Sequence, residues 1–321
     1  MKEICISKDG SGQRIDKYLL KYFNKASKSF IYKMLRKKRI KLNNLRAEGN
    51  EMLTEGDSIQ MFLADETMDS FMEEKTVSRV KCTFGIVYED ENILVVSKPA
   101  GLLSHAEKKE DTNTLIDQIL YYLNEKGEYI PEKDSTFTPA LCNRLDRNTS
   151  GVVISGKNAN AVRQINDAIK NKSIRKFYHT IVCGQIKAGG RLENMYSKDK
   201  DKNKATFSDE GKKIITEYKP IKYTGKYTLL EIQLITGKSH QIRLHMQSIG
   251  SPIIGDIKYG NMDENKKFAK LGIRRQMLHA YRIEWSGMQK ELNYLNGMIM
   301  TADIPDDFRK AETEIFGRVF E

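Results

Sequence analysis

The sign of the charge reverses within the first 75 residues, and this reversal sets the organisation of the chain. Between Lys28 and Arg46 there are eight basic side chains (Lys28, Lys33, Arg36, Lys37, Lys38, Arg39, Lys41, Arg46) and no acid. The following stretch, ADETMDSFMEEK at 64–75, turns abruptly acidic. We read a basic N-terminal domain over 1–64, an acidic linker over 65–79 and a second domain over 80–307, with 308–321 as a tail. At 321 residues the chain is long enough for two domains.

The first domain has clear local patterns. In RIDKYLLKYF, the apolar residues Ile15, Tyr18, Leu19, Tyr22 and Phe23 recur at helical spacing. A second helix runs through FIYKML, with Phe30, Ile31, Met34 and Leu35 on one side. A strand follows at Ile40 and Leu42, Asn43 and Asn44 suit a turn, and SIQMFL after the EGD turn is a further strand. The basic run is either a solvated helix face or a set of phosphate contacts. Because it is one-signed and wraps a helix–turn–strand, it suits phosphates.

Composition narrows the partner class. A formal net charge of +11 points to a polyanion, nucleic acid first. No apolar run approaches the roughly 18–20 residues that span a bilayer, and MKEICISKDG has no secretory core, so the expected location is the cytoplasm. Cys5, Cys82, Cys142 and Cys183 are far apart and form no CxxC pair; we expect reduced thiols, mostly packed.

The second domain opens with a buried-type strand, Ile93 to Val96, running into a Lys-Pro-Ala-Gly turn at 98–101. Helices are expected in TLIDQILYYL and at 159–169. GVVIS is a short buried strand, YTLLEIQLI alternates as a strand, and KDKDKNK at 198–204 is a mobile charged loop. GVVISGKN fits GxxxxGK, but Asn158 replaces the magnesium-binding hydroxyl and Val-Val-Ile-Ser favours a strand, so it does not support a nucleotide site. GSG at 10–12 lacks a third glycine and a preceding strand. His240 and His245 lack HExxH spacing, so no metal is expected.

Three polar stretches remain: NRLDRNTSG (143–151), KFYHTIVCG (176–184) and TGKSHQIRLHMQSIGSPIIGDIKYG (236–260). On the residues alone, Asp146 belongs either to an ordinary charged turn or to a carboxylate held for chemistry. The cluster around His240, Gln241 and Arg243 is equally a capped helix start or a site.

Together these stretches resemble the RluA family of RNA pseudouridine synthases. That family carries HRLDxxTSG around its catalytic aspartate, a basic-x-tyrosine motif and TGRTHQIRxHMxxIGHPIxGDxxYG. LHAYRIEW and KPAGLLSH resemble two further family motifs, and the likeness runs from about residue 80 to 307. The N-terminal segment, from about 13 to 63, resembles the alpha-L RNA-binding fold of a ribosomal small-subunit protein. There are departures from the family pattern: Asn143 stands for a histidine, Lys238 for an arginine, Ser239 for a threonine and Ser251 for a histidine. Lys238 keeps charge but loses a bidentate fork.

The resemblance implies an α+β fold, a mixed and mainly antiparallel sheet with flanking helices, preceded by the alpha-L domain. It implies isomerisation of uridine to pseudouridine in RNA, which needs no cofactor or metal. Asp146 would be the nucleophile at the anomeric carbon, with a glycal intermediate. Arg243 would be its ion-pair partner, since a reacting carboxylate must be ionised and fixed. Tyr178 would stack on the flipped base and help remove the proton from ring carbon five. Leu278 and Ile235 would wall the pocket, and His240 and Gln241 would bind substrate. Arg144 and Arg147 would either contact phosphate or clamp the loop. Lys28, Lys33, Arg36, Lys37, Lys38, Arg39 and Lys41 would bind RNA, with large-subunit ribosomal RNA ahead of transfer RNA and the protein acting as a monomer. A non-catalytic RNA-binding or ribosome-assembly factor is the competing class; the presence of Asp146, Tyr178 and Arg243 speaks against it. An RNA methyltransferase is a weaker rival, because this sequence has no Gly-rich cofactor loop.

Overall fold

The helical spacing of RIDKYLLKYF is realised as α1 (Ile15–Tyr22), which buries Ile15, Tyr18, Leu19 and Tyr22. The computed structural model describes residues 1–73, 76–132, 136–199, 204–208 and 210–317. By contacts the chain forms two units, with boundaries unlike those expected from charge alone. One is Met1–Cys82 with Asp117–Ala140 and Gly156–Arg163; the other is Thr83–Ile116 with Leu141–Ser155 and Gln164–Glu321.

In the first unit, β1 (Lys2–Cys5), β2 (Ile40–Leu42), β3 (Leu45–Arg46) and β4 (Ser58–Met61) form an antiparallel sheet in the order β1-β4-β2-β3. Helix α2 (Lys28–Arg36) starts where the Ser27 hydroxyl accepts from the Phe30 amide at 3.2 Å. Asn43 and Asn44, at φ 50° and 63°, close the β2–β3 hairpin, a left-handed pair that asparagine tolerates well. Ile15, Leu19, Phe23, Ile31, Ile40 and Ile59 are fully buried between helices and sheet. Lys28, Lys33, Arg36, Lys37, Lys38 and Arg39 are exposed and Lys41 is half-buried.

Part of the expected linker is instead helix α3 (Asp65–Ser70). Met68 is buried in the first unit's core, and the Phe71 ring lies 4.1 Å from that of Phe30. The acids dominate the count along this stretch, but its apolar residues dominate the packing.

The second unit is built on a large mixed sheet. Its strands are β5 (Gly85–Glu89), β6 (Ile93–Lys98), β7 (Ala140–Leu141), β8 (Ser150–Gly156), β9 (Ile174–Cys183), β10 (Gly190–Asp199), β11 (Lys204–Phe207), β12 (Lys212–Tyr223), β13 (Tyr227–Leu234), β14 (Leu278–Trp285) and β15 (Ile299–Thr301). Their order is β11-β10-β12-β13-β9-β14-β8-β6-β5, with β7 beside β8 and β15 beside β14. β14 and β8 run parallel, pairing His279 with Ser150 and Ala280 with Gly151. β9, β12, β13 and β14 pair antiparallel with their other neighbours, so the sheet is mixed and mainly antiparallel, as expected. The helices are α4 (Leu115–Glu125), α5 (Ala159–Lys170), α6 (Gln241–Ser248), α7 (Met262–Lys270) and α8 (Asp306–Phe316); α4 and α5 contribute residues to both units.

β8 is buried along its whole length, so the GVVISG stretch is a central strand rather than a loop of exposed amides. The expected tail is also largely helix: Phe308 and Ala311 of α8 are buried with Ile181, Leu229 and Phe268. Residues 318–321 lie outside the described residues, as do 200–203 of KDKDKNK, whose flanks belong to β10 and β11. No disulfide joins the four cysteines, but Cys5 and Cys82 are exposed rather than packed. Among the described residues no helix is long and apolar enough to cross a membrane.

Candidate active site

The segment joining β7 to β8 carries Asp146, and its backbone is held at nearly every residue. The Ser104 hydroxyl donates to the Leu145 carbonyl at 2.9 Å and accepts from the Leu145 amide at 3.1 Å. The Arg147 carbonyl accepts from the Gly101 amide at 2.9 Å and from Lys98 Nζ at 3.0 Å. The Asn148 carbonyl accepts from Arg275 Nη1 at 3.2 Å, and the Thr149 amide donates to the Asp146 carbonyl at 3.0 Å. Such a loop presents its carboxylate with little conformational freedom left to lose.

Asn143 has a definite place in this arrangement. Its Oδ1 accepts from the Ile154 amide at 2.8 Å and its Nδ2 donates to the Val152 carbonyl at 3.3 Å, so the side chain acts as a rung of the ladder onto β8. At the far end of the loop, Gly151 has φ 119°, and a Cβ there would stand 2.1 Å from the Ala280 carbonyl oxygen. Only glycine allows β8 to lie against β14 at this point.

Lys98 is fully buried and donates to three carbonyls, those of Pro99, Leu102 and Arg147. Burial pushes its pKa down to about 7, an effect that the negative charge of Asp146 partly offsets. The Lys-Pro-Ala-Gly turn therefore serves as a clamp beneath the aspartate loop.

Asp146 Oδ2 lies 3.1 Å from Arg243 Nη1, with the aspartate side chain 26% exposed. Arg243, in the first turn of α6, is itself held by Asp256: Nε reaches Oδ2 at 2.6 Å and Nη2 reaches Oδ1 at 2.9 Å. Asp256 Oδ1 also accepts from the Lys258 and Tyr259 amides at 2.9 and 3.0 Å. Burial works against the charge on both groups, but their mutual bonds outweigh it, holding Arg243 above and Asp256 below their ordinary pKa values. The Arg243 guanidinium sits 5.0 Å from the Tyr259 ring centroid, and the Tyr259 hydroxyl is 3.1 Å from His240 Nδ1. His240 Nε2 stands 3.9 Å from Asp146 Oδ2.

These groups border a cavity of about 1030 Å³ lined by Arg144, Asp146, Tyr178, Ile235, His240, Gln241, Arg243 and Leu278 among others. Arg147 is exposed and is not among the lining residues. Tyr178 comes from β9 and is 5% exposed. Burial first, and then the Asp146 charge, raise its phenol well above the ordinary range. It therefore offers a ring face and a neutral hydroxyl rather than a phenolate base. Gln241, expected to bind substrate, is fully engaged within the protein. Its Nε2 donates to the Ile215 carbonyl and Thr216 hydroxyl, both at 2.9 Å, and its Oε1 accepts from the Thr236 hydroxyl at 2.9 Å and the Lys238 amide at 3.2 Å. It ties the 236–238 turn to β12. The expected RNA-binding lysines and arginines, from Lys28 to Lys41, belong to the first unit.

Several site residues escape a reading of the sequence: Asp256, Tyr259, Lys98, Ser104 and Lys176. GDIKYG, KPAGLLSH and KFYHTIVCG carry all of these in quoted motifs, yet spacing alone does not say which residue each one meets.

The sequence profile described as RNA pseudouridylate synthase matches residues 92–248. The ribosomal large subunit pseudouridine synthase D of Borreliella burgdorferi is 34% identical over 84% of this chain and 81% of its own length. The ribosomal large subunit pseudouridine synthase C of Rickettsia bellii is 33% identical over 92% of this chain and 96% of its own. In fold, human RNA pseudouridylate synthase domain containing 4 superposes with a TM-score of 0.56 at 22% identity, covering 72% of this chain and 92% of that one. Sharing a third of its aligned positions with named pseudouridine synthases across most of both chains, the protein belongs to the RluA family of RNA pseudouridine synthases, isomerases that convert uridine to pseudouridine in RNA.

Proposed function

We propose that this synthase acts on large-subunit ribosomal RNA, with Asp146 as nucleophile, Arg243 as its partner and Tyr178 as the stacking face for the flipped base. The observation that carries the site assignment is the Asp146–Arg243 contact at 3.1 Å on the wall of a cavity that Tyr178 also lines. The relatives' names support the choice of RNA.

The target uridine leaves its stack at a cost of a few kcal/mol and enters the cavity. Asp146 attacks the anomeric carbon as the bond from that carbon to N1 breaks. The bond from that carbon to Asp146 then breaks as C2′ gives up a proton, leaving the glycal. The detached uracil turns, its C5 bonds to the anomeric carbon as C2′ regains a proton, C5 loses its own proton and N1 gains one, so no oxidant or reductant enters the balance. Arg243 aims the carboxylate without having to move, because Asp256 fixes its other edge. Lys98, Ser104 and Asn143 act as positioning residues through the loop backbone. Gln241 belongs with them rather than with the substrate contacts. The 1–64 segment works as an alpha-L RNA-binding module whose exposed lysines and arginines add phosphate contacts, and the 80–307 segment carries the chemistry. In this reading the protein works as a monomer in the cytoplasm.

The test is pseudouridine mapping of total RNA with and without the gene. One or more uridines of large-subunit ribosomal RNA should lose their modification in the deletion. Loss confined to transfer RNA would replace the proposed substrate.

A further inference from the structure

The cavity has a feature that the Asp146 chemistry does not use. Its lining includes six lysines (Lys170, Lys172, Lys176, Lys212, Lys213 and Lys238) and two arginines, and Asp146 is the only carboxylate among the described lining residues. Lys176 differs from the other lysines. It is 9% exposed, yet its ammonium has no hydrogen bond or ion pair among the described residues. Its Nζ lies 3.7 Å from where a Cβ on Gly237 would stand, so it points to the 236–238 turn at the cavity wall.

An ammonium on a largely buried side chain, with no counter-charge among the described residues, costs the free protein stability. Burial accordingly lowers its pKa. Side chains of this kind persist where a ligand supplies the missing charge. The nearest anion-bearing residue on the wall, Asp146, is already bound to Arg243. A neutral uracil offers carbonyl oxygens only, whereas a phosphodiester offers a full negative charge. Position favours the phosphate as well. Lys176 and Tyr178 project from the same face of β9, two residues or about 7 Å apart, a separation comparable to that between a base and its own backbone.

We propose that Lys176 binds a backbone phosphate of the RNA strand beside the flipped uridine, within the field of Lys170, Lys172 and Lys238. The assignment rests on the reading of Asp146 and Tyr178 as the uridine pocket.

The experiment uses the full chain as wild type, Lys176→Met and Lys176→Arg. The probe is a fluorescent short oligouridylate, together with copies that each carry one uncharged methylphosphonate linkage. In the wild type, neutralising one particular linkage should weaken binding about tenfold, the effect of one charge-assisted hydrogen bond. Lys176→Met should show that loss already and no longer sense the linkage, with its log–log salt slope reduced by about 0.7. Lys176→Arg should restore the sensitivity. Free Lys176→Met should melt no lower than wild type, since an uncompensated buried charge has been removed. Losses that simply add at every linkage would overturn the assignment, and so would a Lys176→Met protein that melts lower while binding RNA normally. Oligomer binding does not require turnover. A wild type that makes no pseudouridine but keeps the coupling refutes the proposed reaction and leaves Lys176 in place; an active enzyme without the coupling refutes Lys176 alone.

Discussion

Replacing Asp256 with asparagine should separate the anchor of the site from its reacting group. Asp256 and Arg243 have side chains 0% and 6% exposed and share two bonds of 2.6 and 2.9 Å. Truncating one partner of such a buried pair costs about 3–5 kcal/mol. Asparagine keeps the shape and one acceptor for the Lys258 and Tyr259 amides, and Arg243 keeps Asp146 at 3.1 Å. The lower end, about 3 kcal/mol, is therefore expected. Asp146→Asn weakens one hydrogen-bonded ion pair at a group 26% exposed, for which below about 1 kcal/mol is expected. The chain's single tryptophan, Trp285 on β14, is 1% exposed and reports directly on this sheet. Urea midpoints followed by its fluorescence should drop clearly for Asp256→Asn and hardly for Asp146→Asn, with unchanged slopes. Turnover should vanish in Asp146→Asn and be reduced in Asp256→Asn. Equal midpoints for the two variants, or a wild-type midpoint for Asp256→Asn, would refute the idea that Asp256 anchors Arg243.

Mild acid should weaken the fold through its buried histidines. Burial pushes His179, His245 and His279 down to about 4, whereas the unfolded rings take up protons near 6.5. Between those values the unfolded chain binds more protons, so stability falls as pH drops from about 6.5 to 4, by up to ~1.4 kcal/mol per ring per pH unit. A Trp285 urea midpoint that stays level between pH 7 and pH 5 would contradict this. Gly151→Ala should cost more than ~3 kcal/mol, because its Cβ would meet the Ala280 carbonyl at 2.1 Å in a left-handed conformation; a near-normal melting point would show that β8 and β14 can part cheaply. Replacing Lys37, Lys38 and Arg39 together with alanine should lower the log–log salt slope of single-stranded RNA binding by about 2, at roughly 0.7 per phosphate, and leave the saturated turnover rate near wild type. An unchanged slope would remove these three from the RNA contacts.

Local patterns carried most of the secondary structure. α1, α2, β6, β8 and β13 follow from period and turn chemistry, because in these segments burial on one face coincides with the sequence rhythm. The acidic stretch misled because charge is counted along the chain, whereas Met68 and Phe71 are selected by the core they meet. At the site, the residue types of Asp146, Tyr178 and Arg243 were visible within motifs. Their partners were not, since Ser104, Lys98 and Arg275 reach the loop from 41, 49 and 127 positions away. Asn143 shows the limit most clearly. As a departure from a motif it says nothing of its own role, but in the fold its amide completes a ladder rung to Ile154 and Val152. Gln241 shows the converse, a motif residue whose donors and acceptors are all taken up inside the protein.

If the Asp146 carboxylate performs the isomerisation, modification in the cell depends on that one side chain. A strain lacking the gene should be complemented with wild type or with Asp146→Ala, and its RNA mapped for pseudouridine at single-nucleotide resolution. Every site lost in the deletion should return with wild type and none with Asp146→Ala, although the variant accumulates to the same level and still binds RNA. Return of those sites with Asp146→Ala would contradict that role.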